Sequence, residues 1–161
     1  MNERSFRPKR IVKSATIELS ERIDIVLPLF GAREEQKWEP DWKPEFLYPV
    51  DQPDEKDNVF KTEHSVEHGH GAIVSHWVMT EFSRELGKVS YAIFSGHDIT
   101  TISILCEATT DSTTSAEVEY VMTSLDSHGD MLIEHKAERI FFRNLDDWEE
   151  AINQYLKQRN E

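Results

Sequence analysis

The sharpest chemical string in this chain is His64-Ser-Val-Glu-His68, which has the H-x-x-E-H spacing of one class of zinc metallopeptidase. That chemistry needs both imidazoles on one helix face, with the glutamate poised as general base. Val59 to Ser65 alternates like a strand, however, and Gly69 and Gly71 follow at once. On a strand the two histidines would stand roughly 13 Å apart, at about 3.3 Å per residue. No catalytic metal and no cofactor are therefore expected. His68-Gly-His70 reads either as a solvated turn or as an adventitious chelate.

Other groups could act inside a fold. His76 sits beside Trp77 in the middle of an apolar run; facing inward it would be a polar anchor or an acid/base group, facing outward a surface histidine. Tyr91 and Tyr120 each bring an apolar ring and one hydroxyl that wants a partner. Cys106, the single cysteine, lies inside an apolar strand pattern and reads as a packed thiol. Phosphate-binding and dinucleotide-binding glycine motifs are missing, as is a nucleophile elbow. Asp146 and Asp147 fall near a helix start, where they favour the helix dipole. No nucleophile–base pair is found, and no catalytic residue is assigned.

The composition narrows the partners. The 161 residues carry a formal net charge of −13, with 30% charged and 38% hydrophobic residues. Nucleic-acid binding draws on basic patches, and the cluster from Arg4 to Lys13 reads as a terminal tail. There is no run of eighteen or more apolar residues, hence no membrane span, and no secretory signal follows the basic N-terminus. One cysteine fits a reducing cytoplasm.

The elements that must position these groups follow from periodicity. Residues 1–10 read as a disordered tail and 11–158 as one domain. Ile11 to Leu19 suits a strand, and Ser20 an N-cap for a short helix from Glu21 to Leu27. Ala32 to Lys37 reads as a second short helix, with Arg33 to Gln36 largely solvated. Trp38 to Pro53 holds four prolines and four large aromatics, so it is irregular or edge-strand chain. Strands are predicted at Val59–Ser65, Ala72–Phe82, Val89–Ser95, Ile99–Ala108 and Ala116–Leu125, joined by hairpin-sized turns that imply an antiparallel meander. In the last strand Ala116, Val118, Tyr120 and Met122 share the face opposite Glu117 and Glu119. The faces of Ala72–Phe82 are ambiguous, because Trp77, Val78 and Met79 are consecutive; one bulge would reconcile them.

From Asp130 to Glu161 apolar residues recur at helical spacing, including Ile133, Ala137, Phe141, Trp148 and Ile152. This helix needs a broad apolar partner, and the sheet supplies it. Asn144-Leu-Asp-Asp147 reads as an N-cap, so a kink or restart is expected near 143–145.

Several stretches carry a resemblance. Ile17-Glu-Leu-Ser-Glu-Arg-Ile23, Trp38-Glu-Pro-Asp-Trp42, Ser75-His-Trp-Val-Met-Thr-Glu-Phe82, Lys88-Val-Ser-Tyr-Ala-Ile93 and Ala116-Glu-Val-Glu-Tyr-Val-Met-Thr123 fall in the order expected of the SRPBCC superfamily. The chain resembles these START-like and Bet v 1-like proteins over about residues 11 to 158, and among them polyketide cyclase-like members. The resemblance implies an α+β helix-grip fold, a curved antiparallel sheet of about six or seven strands around a long C-terminal helix, with two short helices after the first strand. It also implies a cavity for an apolar or amphipathic ligand such as a lipid, polyketide or aromatic compound. The residues expected to line that cavity are Trp38, Trp42, Trp77, Met79, Tyr91, Ile93, Ile102, Ile104, Val118, Tyr120, Met122, Ala137 and Phe141. His76 is the candidate polar anchor. Trp38 and Trp42 would either rim the mouth or plug the short helices onto the sheet. Within the superfamily, a cyclase- or dehydratase-type enzyme using His76 and an Hsp90-activator-like protein-interaction domain remain open alternatives to a ligand-binding module.

Overall fold

Alternation along Thr113–Ser124 sets the geometry of the rest. In this strand Ala116, Val118, Tyr120 and Met122 are buried while Glu117 and Glu119 stay exposed, so one face is apolar and the other meets water. The computed structural model describes residues 6–65, 72–139 and 145–160.

The element order is β1 (Arg10–Leu19), α1 (Ile23–Val26), a 3-10 turn at Leu27–Phe30, a second 3-10 turn at Glu35–Lys37, then β2 (Glu45–Tyr48), β3 (Val59–Ser65), β4 (Ala72–Ser83), β5 (Lys88–Phe94), β6 (Asp98–Thr110), β7 (Thr113–Ser124), α2 (Ser127–Arg139) and α3 (Leu145–Arg159). All seven strands join one sheet in the order β1-β7-β6-β5-β4-β3-β2, and every pairing is antiparallel. The meander runs from β2 to β7, and β1 returns to lie beside β7. This is the helix-grip arrangement.

Four local expectations are refined. The sheet takes in the end of the expected N-terminal tail: β1 starts at Arg10, and the Lys9 N–H donates to Ser124 Oγ at 2.8 Å. Ser20 caps no helix. Its N–H donates to Asn153 Oδ1 at 2.9 Å, and α1 begins only after Arg22. The second short helix contracts to the 3-10 turn at Glu35–Lys37. In β4 the expected bulge falls between Met79 and Glu81. Before it Ser75, Trp77 and Met79 face inward, and after it Phe82 does.

The helices are held to the sheet by side chains as well as by apolar packing. α2 lies on β1, β6 and β7, and α3 lies on β1. Asp98, fully buried, accepts from Ser95, from Thr100 Oγ1 at 3.0 Å and from Lys136 Nζ of α2 at 2.7 Å. A buried carboxylate is tolerable only when paired and hydrogen-bonded in this way. At the open edge of β1, α3 supplies partners that a neighbouring strand would otherwise give: Glu149 accepts from the Glu18 N–H at 2.9 Å, and Asn153 Nδ2 donates to the Glu18 carbonyl at 3.0 Å. Phe141, the restart expected at Asn144 and the His68–Gly69–His70 turn lie outside the described residues. His64 falls within β3, while Glu67 and His68 of the same string lie outside the described residues. Among the described residues there is no group of three metal-capable side chains, and no helix is long and apolar enough to cross a membrane.

Candidate ligand site

The concave face of the sheet collects most of the residues expected to line a cavity. Met79, Tyr91, Ile93, Ile102, Ile104, Val118, Tyr120 and Met122 are buried on one side of β4 to β7, and Ala137 of α2 is buried against them. Trp38 is buried; Trp42 and Trp77 are half-buried and pack on the same core.

Their indoles are anchored. Trp38 Nε1 donates to the Leu29 carbonyl at 2.7 Å, Trp42 Nε1 to the Ala32 carbonyl at 2.7 Å, and Trp77 Nε1 to Thr62 Oγ1 at 2.9 Å. Trp42 packs edge-on against Phe60 of β3 and Trp77 of β4, with centroids 5.9 and 5.3 Å away. It therefore plugs the turn after α1 onto the sheet. Trp38 instead meets Trp148 of α3 at 5.6 Å, and Trp148 in turn approaches Tyr120 at 6.4 Å and Phe30 at 6.5 Å. These four rings join the short helical segment, α3 and β7 into an aromatic wall.

His76 does not belong to it. Its parity in β4 is opposite to that of Trp77, and its side chain is exposed on the convex face. The polar anchor expected there is corrected: the strand alternation that buries Ser75, Trp77 and Met79 turns His76 to water. Cys106 is buried, and burial pushes its thiol up to about 12, so it stays protonated.

The polar groups that do reach the interior are different ones. Tyr91 donates its hydroxyl to the Phe30 carbonyl at 2.6 Å. Burial, then the negative charges of Glu35 and Asp54, raise the Tyr91 phenol. Burial and Glu35 likewise raise the Tyr120 phenol. Glu35 thus acts electrostatically on both tyrosines, although it stands in a run that reads as solvated. The second 3-10 turn fixes it: the Glu35 N–H donates to the Gly31 carbonyl at 3.0 Å, and the Glu35 carbonyl accepts from the Trp38 and Glu39 N–H groups at 3.1 and 2.9 Å. Burial first, then Glu39 and Asp54, raise the Glu35 carboxyl from 4.5 to about 8.

Asp54 closes the nearby loop. Both of its oxygens accept from the Arg33 N–H at 3.2 Å, and the Arg33 guanidinium reaches the Pro49 and Val50 carbonyls and stacks 3.9 Å over Phe46. Arg33 therefore serves this loop rather than Glu35. Among the described residues, the sealed side-chain polar atoms without a hydrogen-bond partner are Arg33 Nε, which stands 3.8 Å from Asp54 Oδ1, and Asp130 Oδ1. Neither the Glu35 oxygens nor the Tyr120 hydroxyl is among them. No hydrogen bond joins either side chain to another described side chain; Glu35 is half-buried and Tyr120 buried.

Sequence reasoning missed Glu35, Phe30, Phe60 and Trp148 as site residues. The signal for Glu35 was spacing: Ala32, Glu35 and Trp38 recur every three residues, the period of a 3-10 turn, and Ala32 and Trp38 are buried. A separate open groove of about 440 Å³, lined by Ser20, Asn153, Leu156, Lys157 and Asn160, contains none of the expected site residues.

No protein-family model and no curated protein matches the chain. Solved structures do. Norcoclaurine synthase from Thalictrum flavum, in complex with dopamine and hydroxybenzaldehyde, superposes with a TM-score of 0.68 at 10% identity, covering 94% of this chain and 88% of that one. An aromatase/cyclase from a Streptomyces species gives 0.64 at 11% identity, over 96% and 97% of the two chains. The ginseng major latex-like protein 151 gives 0.56 at 11% identity, over 94% and 97%. With seven antiparallel strands among the described residues curved around C-terminal helices, and near-complete coverage of these structures, the chain shares their helix-grip fold.

Proposed function

We propose that this protein is a cytoplasmic binding module that encloses a small molecule with an apolar or aromatic body between the concave face of the sheet and the C-terminal helices. The observation that carries this reading is the aromatic wall of Phe30, Trp38, Tyr120 and Trp148 beside the apolar concave face of the sheet. A ligand laid against that wall would gain the burial of its apolar body, worth about 25 cal/mol per Å². The norcoclaurine synthase structure, which holds two small aromatic molecules in the same fold, supports the reading by analogy.

The cyclase-type alternative loses His76, which is exposed; Glu35 is the titratable interior group that remains for it. The interaction-domain alternative draws on the convex face, where Val12, Phe94 and Ile99 are exposed.

Native mass spectrometry of freshly purified protein, followed by organic extraction, tests the proposal. A stoichiometric small molecule, lost in a Tyr120→Ala variant that still melts cooperatively, is expected. Bare protein, together with no thermal shift against a panel of lipids and aromatic compounds, would remove the binding reading and leave the convex face as the working surface.

A further inference from the structure

We infer that the convex face of the sheet is a self-association surface. A second copy of this chain packs there about a twofold axis that runs across the strands, along the row of Val12, Val121, Thr101, Ala92, Val78 and Val59. The inference stands apart from the interior ligand site, because these side chains point away from the concave face.

The strand registers set these six residues side by side, one on each strand from β1 across to β3. Their neighbours in the chain, among them Met122, Ile102, Ile93, Met79 and Phe60, are buried, so the row itself faces outward. An open antiparallel face normally turns polar residues to water, and a lone exposed valine is ordinary. A row of six in register with only Thr101 polar is not ordinary, and such contiguity marks an interaction surface. The adjoining row adds Ile99, 40% exposed, and Phe94, 49% exposed.

Charge selects the occupant. On one flank of the apolar row, Ile99 and Phe94 share their register with Arg10, His76 and Lys61. On the other, Glu119 and Glu81 share theirs with Ser14, Ser103 and Ser90. One flank is basic and the other acidic, and the twofold axis between them lays each basic flank over the partner's acidic one. Arg10 then comes beside the partner's Glu119, and His76 lies over the partner's Glu81. Lys61 and Glu81 also keep ion pairs within the chain, to Glu45 at 3.6 Å and Lys88 at 3.4 Å, so Arg10 with Glu119 is the pair that decides the orientation. A partner of uniform charge would meet one flank of its own sign; a second copy meets neither.

The apolar row runs about 24 Å at about 4.8 Å per strand, and the two flanks stand about 14 Å apart. Those dimensions fall short of the roughly 800 Å² per partner of a standard interface, which places the dimer in the weak, micromolar class. The net charge of −13 opposes association. At about 0.15 M salt, however, exposed charges more than about 8 Å apart are largely screened, while the apposed flanks act at contact.

Sedimentation equilibrium of the full chain, from about 1 to about 500 μM at about 0.15 M salt, tests this. A monomer–dimer equilibrium with a micromolar dissociation constant is expected. Phe94→Lys and Ile99→Lys, both at exposed positions, should each weaken the dimer at least about tenfold with the melting temperature unchanged. Arg10→Glu and Glu119→Arg should each weaken it about fivefold, and the two together should restore most of the parent affinity. Within one chain these two residues lie on different rows about 14 Å apart, so recovery reports a contact between copies. A monomer at every concentration would overturn the proposal and leave the face to a partner of another kind. A dimer indifferent to both lysine substitutions would overturn the surface. A dimer that they abolish but the double reversal does not restore would overturn the twofold arrangement.

Discussion

Replacing Glu35 with glutamine should make the protein more stable at neutral and alkaline pH, although it removes a charged side chain from a charged segment. The folded-state carboxyl is raised from 4.5 to about 8, chiefly by burial. Below pH 4.5 both the folded and the unfolded chain carry the proton, and this group makes no pH-dependent contribution. Between 4.5 and about 8 the unfolded chain releases the proton while the folded chain keeps it, so stability falls as pH rises. Above about 8 both states are ionised and the full cost of the buried charge is felt. At about 1.4 kcal/mol per pH unit, the interval from 4.5 to about 8 corresponds to about 5 kcal/mol, of which the larger part is already present at pH 7.

Glutamine is close in shape and never ionises. The difference in stability between Glu35→Gln and the parent should therefore open from near zero at pH 4.5, with a slope of about 1.4 kcal/mol per pH unit, and level off near pH 8. Urea titrations at four or five pH values across that range measure it through the midpoint at constant slope. A fixed offset from the amide's own contacts moves both ends equally and leaves the slope intact. Parallel stability curves for the two proteins would refute the reasoning, because they would mean that the Glu35 carboxyl is ionised and solvated in the folded state.

Two further substitutions probe how the helices are held on the sheet. Lys136→Met strands the Asp98 carboxylate, fully buried and 2.7 Å from the lysine nitrogen, and should cost about 3–5 kcal/mol, read as a lower urea midpoint. Gly129→Ala places a methyl carbon 2.0 Å from the His97 carbonyl oxygen, a backbone atom that cannot rotate away; a loss of about 2–3 kcal/mol is expected, and a melting temperature unchanged from the parent would show that the β5–β6 turn yields freely.

The strands were legible because their periodicity is local. Glu117 and Glu119 alternating with Val118 and Tyr120 state the orientation of β7 without reference to any other residue, and the same rule placed Ile102 and Ile104 inward. Where the rule was ambiguous, at Trp77-Val-Met79, the sheet resolved it with a bulge two residues on, and that choice also decided the facing of His76. Interactions across the chain left no such trace. Asp98 and Lys136 are 38 residues apart, and nothing in either neighbourhood marks them as partners. The aromatic contacts of Trp148 with Trp38 and Tyr120 depend on where α3 crosses β1 and β7, which amphipathic spacing alone does not fix.

Glu35 illustrates the physical reason most sharply. In Arg33-Glu-Glu-Gln-Lys37 every side chain is polar, and a helical reading with a period of 3.6 spreads them around a solvated turn. The chain instead tightens to three residues per turn because Pro28 and Gly31 interrupt the preceding helix and the Trp38 indole must reach the Leu29 carbonyl. That tightening puts residue 35 on the same side as Ala32 and Trp38, and so carries a carboxyl inward with them. Proteins near 10% identity can share the sheet and helices, since these need only apolar alternation and a helical stripe. The charge placed inside the enclosure depends on a single turn and its neighbours, and it is there that this chain's own chemistry must be sought.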